Sequence, residues 1–390
     1  MTLPIARLAG GGAGIGRREG KTVFMDMTAP GDVATGTIIE ERRNWARAEL
    51  LDIVEASPDR VAPRCPLYGS CGGCSLQHLD YAAQLREKAA ILTGALNRIG
   101  GWQAPPDPKV HPSPPYEYRN RMQLHCIPQL HNIPQLHPIP QSSNDGQPAV
   151  GLMGRRSGDV VPVKDCPVAD PLIRRALRQG SIEAPPGKER FTIYGRGETF
   201  LREGDGWGTV TIRGRALYMD AEVFFQSNGR LLELLIGDIL TAAERADRSL
   251  PAADLYAGVG TFAAFLEGRF PRIDLVESNR AALDLARKNA PGRANRFFAQ
   301  LDDVVAEYSF AEYGFAVLDP PRTGLSTAAR RRLCEAGPAL LAYVSCDPAT
   351  LARDSGDIRE KYRFCSLDFY DFYPQTAHIE SLAVFERINR

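Results

Sequence analysis

Three sets of residues in this chain have the types and spacing that chemistry needs. Thiols form the first: Cys65-x5-Cys71-x2-Cys74, then Cys166 far downstream, directly ahead of Pro167. The N-terminus MTLPIARLAGGG has too short an apolar run for a secretory signal, so a reducing compartment is expected. Clustered cysteines there read as metal ligands or redox groups, not as a disulfide framework. Zinc and an iron–sulfur cluster each accept four thiolates. Zinc sites commonly pair two short-spaced knuckles, whereas here the fourth cysteine stands alone before a proline, which looks more like a [4Fe–4S] site. Gly72-Gly73, between two of the thiols, lets the backbone turn tightly and donate N–H groups to sulfur. Cys126, Cys334 and Cys365 stand apart and read as small buried hydrophobes.

The second set is a glycine loop flanked by carboxylates. Asp254-Leu-Tyr256-Ala-Gly258-Val-Gly260-Thr261-Phe262 follows a short apolar run, and Glu277 ends the next one. Gly258 and Gly260 allow a ligand close to the backbone, and Glu277 can accept both hydroxyls of a ribose. Gly258-x-Gly260-x-x-Ala263 also satisfies a dinucleotide fingerprint, so NAD stays a candidate. Asp254 ahead of the loop, where a positively charged methionine moiety would lie, and the lack of a Val-x-Val-x-Gly strand favour S-adenosylmethionine. The third set follows. Asp319-Pro-Pro-Arg322 delivers a carboxylate at a rigid turn, Ser345-Cys346-Asp347-Pro348 a thiol at another, and His378-Ile-Glu380 a second carboxylate ahead of an apolar strand. A structural cysteine belongs within a strand, not at its mouth. A nucleophile, a base and a methyl donor in one crevice make a complete methyl-transfer site.

The elements that must hold these groups divide the chain into parts. Residues 1–58 read as short strands (Thr22–Met25, Asp32–Glu40, Arg47–Val54) of a small β-barrel of the OB type. Asp80–Arg98 is predicted helical, with Tyr81, Leu85, Ala89, Leu92, Leu96 and Ile99 forming one buried stripe, and Gly100-Gly101 ending it. Residues 59–78 and 105–225 are predicted to form a central β domain carrying the cysteine site. Within it, residues 123–141 hold a tandem Gln-Leu-His-x-Ile-Pro repeat that would put His125, His131 and His137 on one extended face. Its recurring prolines favour an edge strand or solvated loop over a metal site. From residue 226 helices alternate with apolar runs at Ala252–Leu255, Ile273–Val276, Phe315–Leu318 and Leu340–Ser345, which predicts a doubly wound, Rossmann-like sheet. In such sheets ligands sit beyond the carboxyl ends of the strands.

Composition bounds the reading. With 390 residues, 44% apolar and 24% charged, the chain is long enough for two to four ordinary globular domains. No apolar run reaches the length of a membrane helix. The 47 basic residues balance the 47 acidic ones, which argues against holding nucleic acid by bulk charge alone. Local pairs remain: Arg119/Arg121, Arg155/Arg156 and Arg330–Arg332 could hold phosphates.

Phe225-Gln226-x-Asn228, Asp254–Phe262, Asp319-Pro-Pro-Arg322, Ser345-Cys-Asp-Pro-x-Thr350-Leu-Ala-Arg-Asp354 and His378-x-Glu380 together resemble the RumA/TrmA family of S-adenosylmethionine-dependent RNA uracil-5-methyltransferases. The cysteine cluster and the N-terminal strands also match, as a TRAM domain followed by a cluster-bearing domain. The resemblance spans nearly the whole chain apart from the repeat. It implies a class I methyltransferase domain of residues 79–104 and 226–390, with Asp80–Arg98 packed on it. It implies Cys346 as nucleophile, Glu380 as base, and cofactor contacts from Gln226, Tyr256, Glu277 and Asp319, with Gly258 and Thr261 in the loop. The family often has Asn where this chain has Thr261. The side chain expected after the third strand is Gln300 or Asp302. The cysteine-bearing rRNA branch is the nearer resemblance, and 23S rRNA the expected substrate of a cytoplasmic monomer. A tRNA substrate, an iron–sulfur RNA-binding protein with a silent methyltransferase fold, and an NAD-dependent redox enzyme are the alternatives.

Overall fold

The largest sheet is built from apolar runs too short to be helices and too apolar to face water. The computed structural model describes residues 1–127, 150–299 and 308–388. This sheet has eight strands, ordered Arg296–Phe298, Ile273–Val276, Ala252–Leu255, Phe315–Leu318, Leu340–Ser345, Glu380–Arg387, Tyr362–Tyr370 and Lys109–His111. The first five run parallel, and Glu380–Arg387 joins them antiparallel beside Leu340–Ser345. Ala252–Leu255, Ile273–Val276, Phe315–Leu318 and Leu340–Ser345 are buried at every position, as helices on both faces of a parallel sheet require. Chain order reverses at Ala252–Leu255, which opens a crevice at its carboxyl end.

Register decides what meets there. Leu255 pairs with Leu318, so Tyr256 and Asp319 leave the sheet side by side. Ser345 pairs with Ser381 in the antiparallel couple, so Cys346 and Glu380 face each other one step further.

The helix Tyr81–Arg98 is capped by Asp80, whose carboxylate accepts the Ala82 N–H. Its Leu92, Ala95 and Leu96 pack with Leu351, Ala352 and Phe385 against the eight-stranded sheet. The buried face differs from the stripe read off the sequence. Ile99 is 53% exposed, while Gln84 and Lys88 are buried.

A second sheet has five strands in the order Val160–Pro162, Val150–Met153, Arg121–Cys126, Arg190–Arg196 and Thr199–Arg202. Beside it lies a helix the sequence reading missed, Pro171–Gln179, started by an Asp170 cap and ended by Gly180 at φ 63°. Two parts of the stretch 105–225 belong elsewhere. Lys109–His111 adds in parallel to Tyr362–Tyr370. The hairpin Trp207–Ile212 and Arg215–Asp220 packs its Val210, Ile212, Leu217 and Met219 with Leu231 and Leu235 of the helix Gly229–Ala243. The causes differ: the hairpin buries apolar side chains against the larger body, whereas Lys109–His111 joins it by backbone pairing, with only His111 buried.

The N-terminal residues form a six-stranded sheet in the order Thr2–Pro4, Val33–Glu41, Trp45–Glu55, Lys21–Met25, Gly14–Arg18 and Arg7–Leu8. It curls about its own core of Leu3, Ile5, Val23, Met25 and Ala34. The curl is tight enough that a Cβ on Gly16 would fall 1.9 Å from Leu3 Cδ1. His125 lies in the strand Arg121–Cys126; His131 and His137, like Gln300 and Asp302, lie outside the described residues. Among the described residues no helix is long and apolar enough to cross a membrane.

Candidate active site

Cys346 sits in a turn that the sequence around it builds. The strand ends at Ser345, and Asp347 caps the helix Pro348–Ile358, its Oδ1 accepting the N–H groups of Ala349 and Thr350 at 2.9 Å. Ser345 Oγ accepts the Asp347 N–H at 3.2 Å and donates to the Asp347 carbonyl at 3.0 Å. The thiol is thus held at a strand mouth between two bonded neighbours.

Two carboxylic acids converge there. Glu380 is 3% exposed, and its Oε1 has no hydrogen-bond partner. Asp319 keeps some exposure to the crevice and accepts from Gln226 Nε2 at 3.5 Å. Burial pushes the Asp319 carboxyl up to about 7, against the Gln226 hydrogen bond. Burial, then the Asp319 charge, raises Glu380 well above the usual carboxylate range, with Arg322 opposing. Burial, then the charges of Glu380 and Asp319, pushes the Cys346 thiol up to about 12, again with Arg322 opposing. Arg322 is therefore the cation that offsets this acidic crevice, and its guanidinium also donates to His378 Nδ1 at 3.0 Å. His378 is pushed down to about 4 by burial and by Arg322, Arg119 and Lys88, so its imidazole stays neutral.

The glycine loop adjoins these groups. Tyr256, Gly258 and Gly260 all have positive φ, at 64°, 53° and 75°. A Cβ on Gly260 would lie 2.9 Å from Ala286 Cβ, whereas one on Gly258 would meet nothing within 4 Å. Gly260 is thus a packing requirement and Gly258 leaves space for a ligand. Gly258 N–H donates to Glu277 Oε2 at 2.9 Å, fixing that carboxylate beside the loop, and Thr261 opens the short helix Thr261–Leu266. Gln226 is 8% exposed with Oε1 unpaired, on a segment anchored by Asn228. The Asn228 amide donates to Ser113 Oγ at 2.9 Å and to the Phe372 carbonyl at 3.3 Å.

Asp254 lies beneath the loop, fully buried, with Oδ2 accepting the Ala263 N–H at 2.8 Å and Oδ1 unpaired. Burial, aided by the charges of Asp319 and Glu277, pushes it up to about 8 from 3.8. A raised folded-state value means that its contribution to stability is full below the unfolded value and lost as pH climbs through 8. Cofactor-free Asp254→Asn is therefore expected to gain on wild type as pH rises, by on the order of a few kcal/mol at about pH 9. Denaturant unfolding from about pH 5 to pH 9 checks this; parallel pH profiles for the two proteins would contradict it.

A cleft of about 380 Å³ opens over the thiol. Cys346, Asp347, Arg322, His378 and Ile379 line it from the large sheet, Gly10 and Gly11 from the N-terminal unit, and Gly72, Gly73 and Ser75 from the cysteine segment.

Cys65, Cys71, Cys74 and Cys166 are free thiols around a second cavity, shared with Tyr68, Gln77, Arg119 and Met122. Burial and the neighbouring Cys166 and Cys71 push Cys74 up to about 12. Burial also raises Cys71 and Cys166, with Arg119 opposing at all three. Backbone N–H groups serve the sulfurs, that of Gly73 reaching Cys71 Sγ at 3.4 Å. Cys126, Cys334 and Cys365 are partly exposed rather than buried, with Sγ of the first two donating to the Lys188 and Asp357 carbonyls. His111, Asp238 and Asp368 also cluster, but their polar atoms are taken up internally: His111 Nε2 is 2.8 Å from Asp368 Oδ1, and Asp238 accepts from the Tyr370 hydroxyl at 2.7 Å. Sequence reasoning missed Gln84, Lys88, Ser75 and Gln375, the polar residues that hold the loop before Glu380. Their partners lie far along the chain, and no local pattern marks them.

A multi-sheet protein with a methyltransferase fold is what this architecture defines. The tRNA (Uracil-5-)-methyltransferase family profile matches residues 291–388. An RNA methyltransferase of Treponema denticola is 31% identical over 95% of each chain. The 23S rRNA (uracil(1939)-C(5))-methyltransferase RlmD of Alkalilimnicola ehrlichii is 30% identical, covering 99% of this chain and 96% of its own. Among solved structures, the Pyrococcus abyssi tRNA (uracil-54, C5)-methyltransferase in complex with S-adenosyl-L-homocysteine aligns with a TM-score of 0.72. It shares 23% identity and covers 99% of this chain and 100% of its own. The chain belongs to the RumA/TrmA family of RNA uracil-5-methyltransferases and is an enzyme of that class.

Proposed function

We propose that the enzyme transfers a methyl group from S-adenosylmethionine to C5 of one uridine in 23S rRNA, through a covalent bond between Cys346 and C6. The observation that carries this reading is the meeting of Cys346, Glu380 and Asp319 at the ends of adjacent strands, beneath a cleft. Full-length similarity to enzymes named for 23S rRNA favours that substrate over tRNA.

Uracil C5 is a weak nucleophile until C6 is attacked. Addition of the Cys346 thiolate to C6 moves the ring's electron pair into an enolate, and C5 becomes nucleophilic. C5 takes the methyl group of S-adenosylmethionine as the S–CH3 bond breaks, and the sulfur keeps the electron pair and departs in S-adenosylhomocysteine. Glu380 then removes the C5 proton, the 5,6 double bond reforms, and Cys346 leaves as thiolate. Gln226, Tyr256, Gly258, Thr261, Glu277 and Asp319 are the residues that would hold the methyl donor. The unpaired Gln226 Oε1 and the space above Gly258 suit that role.

We assign the four-thiol cavity to a [4Fe–4S] cluster. Four tetrahedral thiolates on one zinc, each at about 2.3 Å, would stand about 3.8 Å apart. Among the described residues no three of these sulfurs come within 4.8 Å of one another. The wider spread suits a cubane, and its iron would stabilise the thiolate forms that burial disfavours. None of the four thiols lines the cleft over Cys346, and the reaction needs no net electron, so the cluster's part is structural. The N-terminal sheet is read as a TRAM-like RNA-binding unit of a cytoplasmic monomer.

The deciding experiment incubates the protein and labelled methyl donor with rRNA and tRNA from a strain lacking its gene, then maps the modified nucleotide. Label at a single 23S uridine is expected. Label in tRNA alone would move the assignment to the tRNA reading, and label in neither would end both.

A further inference from the structure

Residues 371–379 lead directly into Glu380, and the groups that restrain them come largely from the cysteine segment and the helix that follows it. Ser75 and Leu76 donate their N–H groups to the Gln375 carbonyl at 3.0 and 2.9 Å. Ser75 Oγ accepts the Ala377 N–H at 3.0 Å. Gln84 Oε1 accepts the Gln375 N–H at 2.9 Å, while its Nε2 donates to the Leu76 and Leu79 carbonyls at 3.1 and 2.8 Å. One side chain therefore ties both segments together. Buried Lys88 completes the hold, its Nζ 2.6 Å from Asp371 Oδ1 and 3.2 Å from the Tyr373 carbonyl.

The restraint reaches back to the thiols. Ser75 follows Cys74, and its carbonyl accepts from the hydroxyl of Tyr68, a residue between Cys65 and Cys71 that lines the four-thiol cavity. The N-terminal unit closes the same point. Gly12, at φ 85°, leaves room so small that a Cβ there would lie 2.9 Å from Ala377 Cβ and 3.3 Å from Ser75 Oγ.

We propose that Ser75 and Gln84 are positioning residues for Glu380, so that removal of the C5 proton depends on how the four thiols are held. The proposal rests on the reading of Glu380 as the base. A carboxylate at a strand's first residue takes its depth from the loop before it, and this loop's own hydrogen bonds, such as those from Thr376 to the Tyr373 carbonyl and from His378 N–H to Thr376 Oγ1, shape the loop without tying it to its neighbours. Addition of Cys346 to C6 relies on a different turn, closed by Ser345 and Asp347. The two halves of the reaction should therefore separate when the clamp is loosened.

The test uses the full-length protein as purified. In Ser75→Ala, amide hydrogen exchange at Gln375 and Ala377 is expected to quicken about tenfold or more, while the strand Ala252–Leu255 exchanges as before. Release of methylated RNA should slow about tenfold and the Cys346–RNA adduct accumulate, with adduct formation slowed by a clearly smaller factor and the affinity for S-adenosylhomocysteine as in wild type. Ser75→Thr, which keeps the acceptor, should restore wild-type behaviour. Gln84→Ala supplies the same comparison if Ser75→Ala does not fold, and mild chelation of the wild-type protein should quicken exchange at the same amides. Unchanged exchange at 375–377 would overturn the proposal. So would formation and release slowed by the same factor, because that is loss of general structure. Glu380→Gln run in parallel keeps the two readings apart: its failure to trap adduct counts against the base assignment, while the exchange data still judge the clamp.

Discussion

Cys346→Ala is expected to abolish methylation, by on the order of 10⁴- to 10⁶-fold, the loss seen when a covalent nucleophile is removed from an otherwise intact site. Among the described residues of the crevice, the carboxylates of Asp319 and Glu380 do not replace it, because both are hard oxygen nucleophiles and neither would add usefully to C6. The fold should be untouched: the turn around residue 346 is held by Ser345 and Asp347, not by the thiol. S-adenosylhomocysteine should bind as in wild type, and the gel-stable RNA adduct should vanish. Protonation gives the same residue a second signature. With its thiol pushed up to about 12 by burial and by Glu380 and Asp319, Cys346 is protonated in the free enzyme near neutral pH. The nucleophile is the thiolate. Its population therefore rises tenfold per pH unit below the thiol's own value, and kcat/KM for RNA should climb from about pH 6 to pH 9 without a plateau. Residual turnover in Cys346→Ala, or a flat profile, would remove the thiolate mechanism.

The strands that carry this site were legible because parallel strands buried on both faces leave unbroken apolar runs. Ala252–Leu255, Ile273–Val276, Phe315–Leu318 and Leu340–Ser345 fall at the bounds the sequence implies. Polar residues set immediately after such runs, Asp319 and Cys346, then announce a crevice. What stayed hidden depends on partners distant along the chain. Lys109–His111 is three residues long and acquires its strand character only by pairing with Asp368, Phe369 and Tyr370. Lys88 and Gln84 read as solvent-facing on a helix, since nothing local reveals that Asp371 and Gln375 will come to meet them. Ile99 erred the other way, extending an apolar period past the point where the helix still touches the sheet. The four-thiol set was found from spacing. The link from that set to Glu380 was not, because backbone hydrogen bonds such as Ser75 to Gln375 leave no mark in side-chain pattern.

Glu380→Gln should divide the reaction at its midpoint. An amide matches the carboxyl in size, and the burial that raises Glu380 well above the usual carboxylate range disfavours its charge but not a neutral amide. The variant should therefore fold as stably as wild type, which Glu380→Ala, leaving a void at a buried site, need not do. Attack by Cys346 is not impeded; the Glu380 charge raises the thiol, so a neutral amide in its place makes the thiolate slightly easier to form. Methyl transfer to C5 can then proceed. The cycle stops at the next step, because an amide cannot take the C5 proton and the 5,6 double bond cannot reform. Loss of a positioned base typically costs about 10²–10⁴-fold. Turnover should fall by that factor while one methyl group per enzyme is transferred and stays in a denaturation-stable complex with RNA. Single-turnover labelling against multiple-turnover release measures the division. Raising pH distinguishes the variant further: wild-type release quickens as Glu380 ionises, whereas the Gln variant has no such group and its release should follow only slow solvent-assisted proton loss. Multiple turnovers at the wild-type rate would assign proton removal to another group, with Asp319, already pushed up to about 7, the next acid in the crevice.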